Sequence, residues 1–338
     1  MSQGISVIIC CYNSAALLPK TLEHIAKQVV VDNLDWEVIV VDNASVDNTA
    51  DVAKEEWAKH VCKAEFKVIT ELQPGLLKAR IKGFNEARYD YLLYCDDDNW
   101  LNENYIETAF NVLDKNPEVG VCGGLGIPRF ETGSRPAWFK GHMMESFALG
   151  PQAKVPFGAV DEKRYYVYGA GMVIRRTAIE DVYDDAIADS LLLSGRKGNS
   201  LLAGDDAELC FYVLLKGYKL WYNEDLTFKH FLQLKRLNKN YVANMYRGFG
   251  KTIPYLNLYH ANFPFVSNAE KRKLNSWWYQ FFMQFNIGAR NFVFSVFKKD
   301  RRFVSIMHMQ SAKQLLLMRG EFRNIKERMH KLIMQVKG

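Results

Sequence analysis

The stretch Tyr91-Leu92-Leu93-Tyr94-Cys95-Asp96-Asp97-Asp98 decides the fold. An apolar run leads straight into three acids, so the carboxylates emerge where a buried strand ends and not on a solvated helix face. Toward the N-terminus the same kind of unit recurs. Ile5–Cys11 reads as a strand closed by Tyr12-Asn13-Ser14, and Leu17–Gln28 carries helical spacing. Trp36–Val41 is a strand ending at Asp42, Thr49–Lys59 a helix, Phe66–Thr70 a strand and Leu76–Ala87 a helix. This alternation predicts an α/β fold, a mostly parallel sheet flanked by helices. In such sheets ligands bind beyond the carboxyl ends of the strands, where the polar residues of this chain collect.

Toward the C-terminus the pattern first weakens. Gly126–Lys163 mixes Pro128, Pro136, Pro151 and Pro156 with glycines and aromatics, and reads as loops forming a mobile lid. Tyr165–Arg175 is expected as a strand around Gly169-Ala170-Gly171, Asp206–Lys216 as a helix and Lys219–Tyr222 as a strand. After residue 235 the chain turns helical, aromatic and basic. Residues 1–235 hold 25 basic and 34 acidic side chains, whereas residues 236–338 hold 19 and 4, so two regions with different partners are implied.

With 338 residues, 49% of them hydrophobic, the chain can bury a sizeable core and is no disordered segment. Its six cysteines, Cys10, Cys11, Cys62, Cys95, Cys122 and Cys210, form no CxxC pair and read as reduced thiols of a cytoplasmic protein. The first strand begins almost at once, without a charged and apolar leader ahead of it. Trp277–Phe297 invites a transmembrane reading, but Gln280, Gln284, Asn286, Arg290 and Asn291 interrupt it. The absence of GxGxxG and GxxxxGK[ST] motifs argues against a dinucleotide oxidoreductase and a P-loop NTPase.

Three adjacent acids repel one another unless a cation sits among them, and hard ions such as Mg²⁺ and Mn²⁺ take carboxylate oxygens together with substrate phosphates. The competing reading of Asp96-Asp97-Asp98 is a solvated acidic turn. Gly204-Asp205-Asp206-Ala207-Glu208 places acids in the first turn of an apolar helix, where ordinary capping also favours them. Together the two clusters suit a division of labour, one holding metal and one abstracting a proton from a hydroxyl. Asp47 or Asn48 caps the second helix, while Asp42 ends a buried strand and can accept from a nucleobase imide or a ribose hydroxyl. His230 is either structural or a ligand for Mn²⁺ and a donor to phosphate.

Four elements in order, namely Ser6-Val7-Ile8-Ile9-Cys10-Cys11-Tyr12-Asn13, Asp42 with Ser45-Val46-Asp47-Asn48-Thr49, Gly75 through Arg80 to Asp96-Asp97-Asp98, and Gly204-Asp205-Asp206, carry a resemblance. Over about residues 5–232 the chain resembles the inverting glycosyltransferases of family 2, with their Rossmann-like GT-A fold. The resemblance implies a nucleotide pocket of Tyr12, Asn13, Asp42, Arg80 and Asp96, with Tyr12 packed on the base and Asp42 bonded to it. It implies Asp96, Asp98 and His230 as contacts to Mn²⁺ or Mg²⁺, and Asp206 as the catalytic base. Gly169, Ala170, Gly171 and Asp205 would line the acceptor side. The expected reaction moves a sugar from a nucleotide diphosphate, UDP by resemblance, to a hydroxyl of a glycan or lipid-linked acceptor in polysaccharide or cell-surface glycan synthesis. Residues 1–235 would be the catalytic domain and 236–338 a helical C-terminal region. Two departures stand out: Asp42-Asn43-Ala44-Ser45 replaces two acids and a glycine common in relatives, and Asp205 replaces a common glutamate. A metal-dependent nucleotidyltransferase and a non-catalytic sugar-nucleotide-binding scaffold are the alternative readings.

In the tail, Lys298-Lys299-Asp300-Arg301-Arg302 follows the aromatic stretch Trp277-Trp278-Tyr279-Gln280-Phe281-Phe282. Aromatics beside cations suit a helix lying in the plane of an anionic membrane, at the inner face of the cell membrane. Leu315, Met318, Phe322, Ile325, Met329, Leu332 and Val336 form an apolar helical stripe with basic residues around it. Packing on the catalytic domain or a homodimer seam is the alternative reading of both stretches, with peripheral membrane attachment preferred. No nucleic-acid module is recognised, and nucleic acid is not an expected partner.

Overall fold

The computed structural model describes residues 2–161, 164–183, 191–193 and 204–337. The N-terminal half follows the expected alternation. Strand β1 (Ser2–Cys11) is followed by helix α1 (Leu18–Ala26), β2 (Trp36–Asn43), α2 (Thr49–Trp57), β3 (Glu65–Glu71), α3 (Leu76–Glu86) and β4 (Tyr89–Cys95). These four strands pair in parallel in the order β3-β2-β1-β4. Because both faces of β1 and β2 are covered by helices, their Val and Ile runs are fully buried, as continuous apolar strands of parallel sheets are.

The second half is mixed. It comprises β5 (Asn99–Leu101), α4 (Tyr105–Lys115), β6 (Val119–Phe130), β7 (Phe157–Ala159), β8 (Met172–Arg175), α5 (Asp205–Leu215) and β9 (Lys219–Leu232). Strand β8 lies between β4 and β6 and is antiparallel to both, β6 and β9 run parallel, and β5 and β7 pair antiparallel with β9.

Three sequence expectations change here. The strand expected over Tyr165–Arg175 is confined to Met172–Arg175, because Tyr165 (φ 42) and Gly171 (φ 66) take left-handed backbone that no strand accommodates. The strand expected to end at Tyr222 runs on to Leu232, bridging the polar Asn223-Glu224-Asp225 at an irregularity in its pairing with β6. The zone read as loops from Gly126 contains the end of β6, the short β7 and two single turns of 3₁₀ helix at Gly141–Met143 and Glu145–Phe147. Its last two positions, Glu162 and Lys163, lie outside the described residues.

Beyond β9 come α6 (Lys239–His260), α7 (Asn268–Leu274), α8 (Trp277–Phe294), α9 (Arg301–Met318) and α10 (Phe322–Lys337). Asn238, Ser267 and Ser276 cap the first three of these, each accepting a bond from the backbone N–H three residues on. The apolar stripe from Leu315 to Leu332 is buried, packed with Phe211 of α5 and with Leu258 and Tyr259 of α6. It therefore seats the last two helices on the chain's own α5–α6 layer. Leu315→Ala should lower the unfolding free energy by about 2–5 kcal/mol, the usual cost of a buried cavity. A denaturant melt whose midpoint shift does not depend on protein concentration would check that the stripe packs within one chain.

Candidate active site

A cavity of 810 Å³ opens at the carboxyl ends of β1, β2 and β4. Of the residues singled out in the sequence, Tyr12, Arg80, Asp96, Asp98, Gly169, Ala170, Asp205, Asp206 and His230 line it. Asn13, Asp42 and Gly171 are not on its wall.

Asn13 instead ties two loops together. It takes left-handed backbone (φ 54), its N–H donates to Ser45 Oγ at 3.0 Å, and its Oδ1 accepts from Val46 N–H at 2.8 Å. Ser14 N–H donates to Thr49 Oγ1 at 2.8 Å, and Asp47 accepts from the N–H groups of Ala15 and Thr49. With the loop held, the Tyr12 ring stands 52% exposed at the cavity mouth. Asp42 pairs with Cys11 on one side and Thr70 on the other, and its Oδ1 is buried with no hydrogen-bond partner. Its neighbour Asn43, which sequence reasoning passed over, is the wall residue: it donates to Gln73 O at 2.7 Å and accepts from Gly75 N–H at 2.7 Å, shaping the β3–α3 turn. Ala44 holds φ 54, a left-handed conformation that costs an L-residue about 1–2 kcal/mol.

The acid triplet divides its work. Asp97 is a latch, accepting from Ser14 Oγ, while its carbonyl accepts from Thr21 Oγ1 at 2.6 Å. Burial and the neighbouring Asp98 push its carboxyl up to about 7. Asp98 is buried, with Oδ2 2.6 Å from Arg236 Nη1 and Oδ1 3.4 Å from His230 Nε2. Pairing of Asn99 in β5 with His230 in β9 brings the two together, and the Asp98 carbonyl fixes the register by accepting from Phe231 N–H at 2.8 Å. His230 Nδ1 is buried without a partner. Sequence reasoning missed Arg236 altogether. Its one signal is a cation shortly after the end of β9, and only folding puts it against Asp98.

Across the cavity stands the first turn of α5. Gly204 precedes it at φ 105, a left-handed conformation suited to glycine. Asp205 Oδ2 lies 2.5 Å from Arg80 Nη1, and both side chains are largely buried. Burial, the largest effect, works against the Arg80 charge, but Asp205 together with Tyr183, Cys10 and Tyr94 holds the guanidinium above its ordinary pKa. Asp206 Oδ2 accepts from Gly169 N–H at 3.1 Å and Oδ1 from Ala207 N–H at 2.8 Å. Burial, then the charge of Asp205, pushes the Asp206 carboxyl up to about 6, against Arg80 and these two donors. Gly171 is a packing residue: its carbonyl accepts from Tyr105 Oη at 2.6 Å, and a Cβ there would lie 2.5 Å from that oxygen. Glu208, one turn further along α5, accepts from Tyr259 Oη at 2.5 Å and from the N–H groups of Leu192 and Leu193, anchoring α6 and the segment before α5. Tyr246, Phe249 and Thr252 of α6 and Val304 and Met307 of α9 complete the wall, so the C-terminal helices belong to the cavity.

For a divalent cation, the donor chemistry fits. Asp98 Oδ1 and His230 Nε2 lie 3.4 Å apart and Asp96 lines the same cavity, while Arg236 supplies the counter-charge that Asp98 already holds. No ready-made cluster of three such donors exists among the described residues, so phosphate and water oxygens would have to complete the shell.

An acid-lined cavity at the carboxyl ends of the strands is where α/β proteins of this class hold their ligands. The sequence model described as Glycosyl transferase family 2 matches residues 6–183, more than half of the chain. The chain belongs to that family. The cholesterol galactosyltransferase of Borreliella burgdorferi is 32% identical over 125 residues, 36% of this chain and 33% of that protein. The poly-beta-1,6-N-acetyl-D-glucosamine synthase of Staphylococcus epidermidis is 27% identical over 123 residues, 36% of this chain and 28% of that protein. The chain thus covers a third or less of the length of these curated relatives. Among solved structures, S. aureus TarS 1-349 in complex with UDP-GlcNAc superposes with a TM-score of 0.57 at 17% identity, covering 97% of this chain and 92% of that one. Its complex with UDP gives 0.54 at 16% identity, covering 99% and 90%. The shared fold is GT-A, with a helical C-terminal region.

Arg80→Met should cost about 3–5 kcal/mol of stability by leaving the Asp205 carboxylate without its counter-charge. Arg80→Met/Asp205→Leu should recover most of that loss in a double-mutant cycle read by denaturant melts.

Proposed function

We propose that this chain is a metal-dependent inverting glycosyltransferase that moves a sugar from a UDP-sugar to a hydroxyl of a glycan or lipid-linked acceptor, in polysaccharide or cell-surface glycan synthesis. The observation that carries this reading is the opposition, across one cavity, of the Asp96, Asp98 and His230 wall to an Asp206 carboxyl pushed up to about 6. A base with that pKa is ionised at neutral pH yet basic enough to take a proton from a polarised hydroxyl.

In the proposed reaction the acceptor hydroxyl lies against Asp206, whose Oδ2 is oriented by Gly169 N–H. Asp206 takes the hydroxyl proton as the oxygen attacks the anomeric carbon. The bond from that carbon to the diphosphate oxygen breaks on the opposite side, inverting the configuration. The departing diphosphate carries away the electron pair, beside the cationic Arg236 and the donor His230. A divalent ion on Asp96, Asp98 and His230 would neutralise diphosphate charge when bound. The exposed ring of Tyr12 supplies a face for the base. Residues 1–235 would form the catalytic domain, with 236–338 walling its acceptor side.

Two measurements test this. UDP should raise the melting temperature, more with Mn²⁺ than without, and more than GDP or dTDP does; no shift with any diphosphate would remove the nucleotide site. Asp206→Asn should lower kcat about 10²–10⁴-fold, the usual contribution of general-base catalysis. In the wild type, kcat/KM should fall tenfold per pH unit below about 6, where Asp206 becomes protonated. The Asn variant should lack that acid limb, and retention of near-normal turnover by it would exclude Asp206 as the base.

A further inference from the structure

Helix α8 is built inside out. The residues it buries are Gln280 (0% exposed), Gln284 (3%), Gly288 and Asn291, at helical spacing along one face. That face is fully engaged. Gln280 accepts from Asn257 Nδ2 at 3.0 Å, Gln284 Oε1 lies 2.6 Å from His308 Nδ1, and Ser305 Oγ donates to the Gly288 carbonyl at 2.9 Å. The opposite face carries Trp278, Phe282 (53% exposed), Phe285, Phe292 (66%) and, just beyond the helix, Val296 and Phe297 (84%). From Trp278 to Val296 the steps are four, three, seven and four, with Ala289 filling the gap of seven, so they form one continuous stripe that ends beside Phe297. A surface helix of a globular protein does the reverse, burying its apolar stripe and solvating its polar one.

Charge says what covers the stripe. Both ends are cationic, with Lys271, Arg272 and Lys273 before α8 and Lys298, Lys299, Arg301 and Arg302 after it; Asp300 is the one acid from residue 271 to 302. Lys273 stacks over Tyr279 at 5.5 Å, and Arg319 over Trp277 and Trp278 at 5.5 and 5.6 Å, so aromatic and cationic groups share one level. A protein partner that buried the stripe would have to match cations at both ends, whereas an anionic lipid surface presents acyl chains and negative headgroups together. Among the described residues no helix is long and apolar enough to cross a membrane, which leaves the in-plane orientation.

We propose that α8 docks the protein on anionic membranes, lying in the interfacial plane with Trp278, Phe282, Phe285, Phe292 and Phe297 in the acyl boundary. Helix α9, packed against α8 through Ser305, sends Val304 and Met307 into the cavity, so the lipid surface lies one helix away from the site.

The test uses the full chain, without nucleotide or acceptor, so its outcome is independent of the transferase reading. At low salt the protein should co-sediment with phosphatidylcholine vesicles containing phosphatidylglycerol and not with phosphatidylcholine alone. Lys298→Glu/Lys299→Glu should weaken binding by about fivefold or more per reversed lysine. Phe282→Ser/Phe292→Ser/Phe297→Ser should weaken it by about tenfold or more while leaving the thermal melt unchanged, since all three rings are already exposed. Brominated acyl chains should quench the tryptophan fluorescence of the unaltered protein, a measurement that needs no variant. Absence of both sedimentation and quenching would overturn the proposal. So would a concentration-dependent dimer that the triple serine variant dissolves, because the stripe would then belong to a second copy of the chain.

Discussion

The buried ion pair between Arg80 and Asp205 holds the two halves of the sheet to one another at the cavity. Arg80 comes from α3, in the parallel half, and Asp205 from α5, in the mixed half, 125 residues away. A lone buried guanidinium or carboxylate is costly, so neither helix can shift without exposing its partner's charge to a dry environment. The consequence for chemistry falls on Asp206, the next residue of α5. Its pKa is a balance between burial and the Asp205 charge, which raise it, and Arg80 with the Gly169 and Ala207 N–H donors, which pull it down. A structural bond thereby sets the basicity of its neighbour. The same logic recurs opposite, where Arg236 compensates Asp98 and leaves Asp97 to a separate bond with Ser14. Two arginines thus let five aspartates share one cavity.

How far the sequence could be read depended on how local each cause is. The parallel half was legible because each strand is a self-contained apolar run and each following helix starts within a few residues of it. The mixed half was not, since its pairing depends on residues far apart. Strand β8 is four residues long and is ordered by β4 and β6 on either side, not by its own pattern. Strand β9 carries a polar interruption that only its partner strands make intelligible.

The site divides along the same line. Asp96, Asp98 and Asp206 could be named because they sit directly after a strand or at a helix start, positions with a local signature. Arg236 lies 138 residues from Asp98, and Glu208 lies 51 from Tyr259, so neither partnership leaves a mark in any short window. Asp42 and Asn43 show the limit of motif reading from the other side. Alternation along β2 turns adjacent residues to opposite faces, and Asn43, not Asp42, reaches the cavity wall.

The C-terminal helices carry two surfaces of opposite character. Toward the cavity, α6 and α9 present Tyr246, Phe249, Val304 and Met307, apolar and aromatic groups that line the same space as the aspartates. Away from it, α8 shows aromatics to the outside while its buried glutamines and asparagine are satisfied by Asn257, His308 and backbone carbonyls. Burying amides is tolerable because each finds a partner, and it leaves the apolar face free of any role in holding the fold together. Folding stability in this region rests instead on the Leu315–Leu332 stripe, which packs on α5 and α6. Separating the two jobs lets the outer face be as apolar as an interface requires without making the fold depend on what covers it.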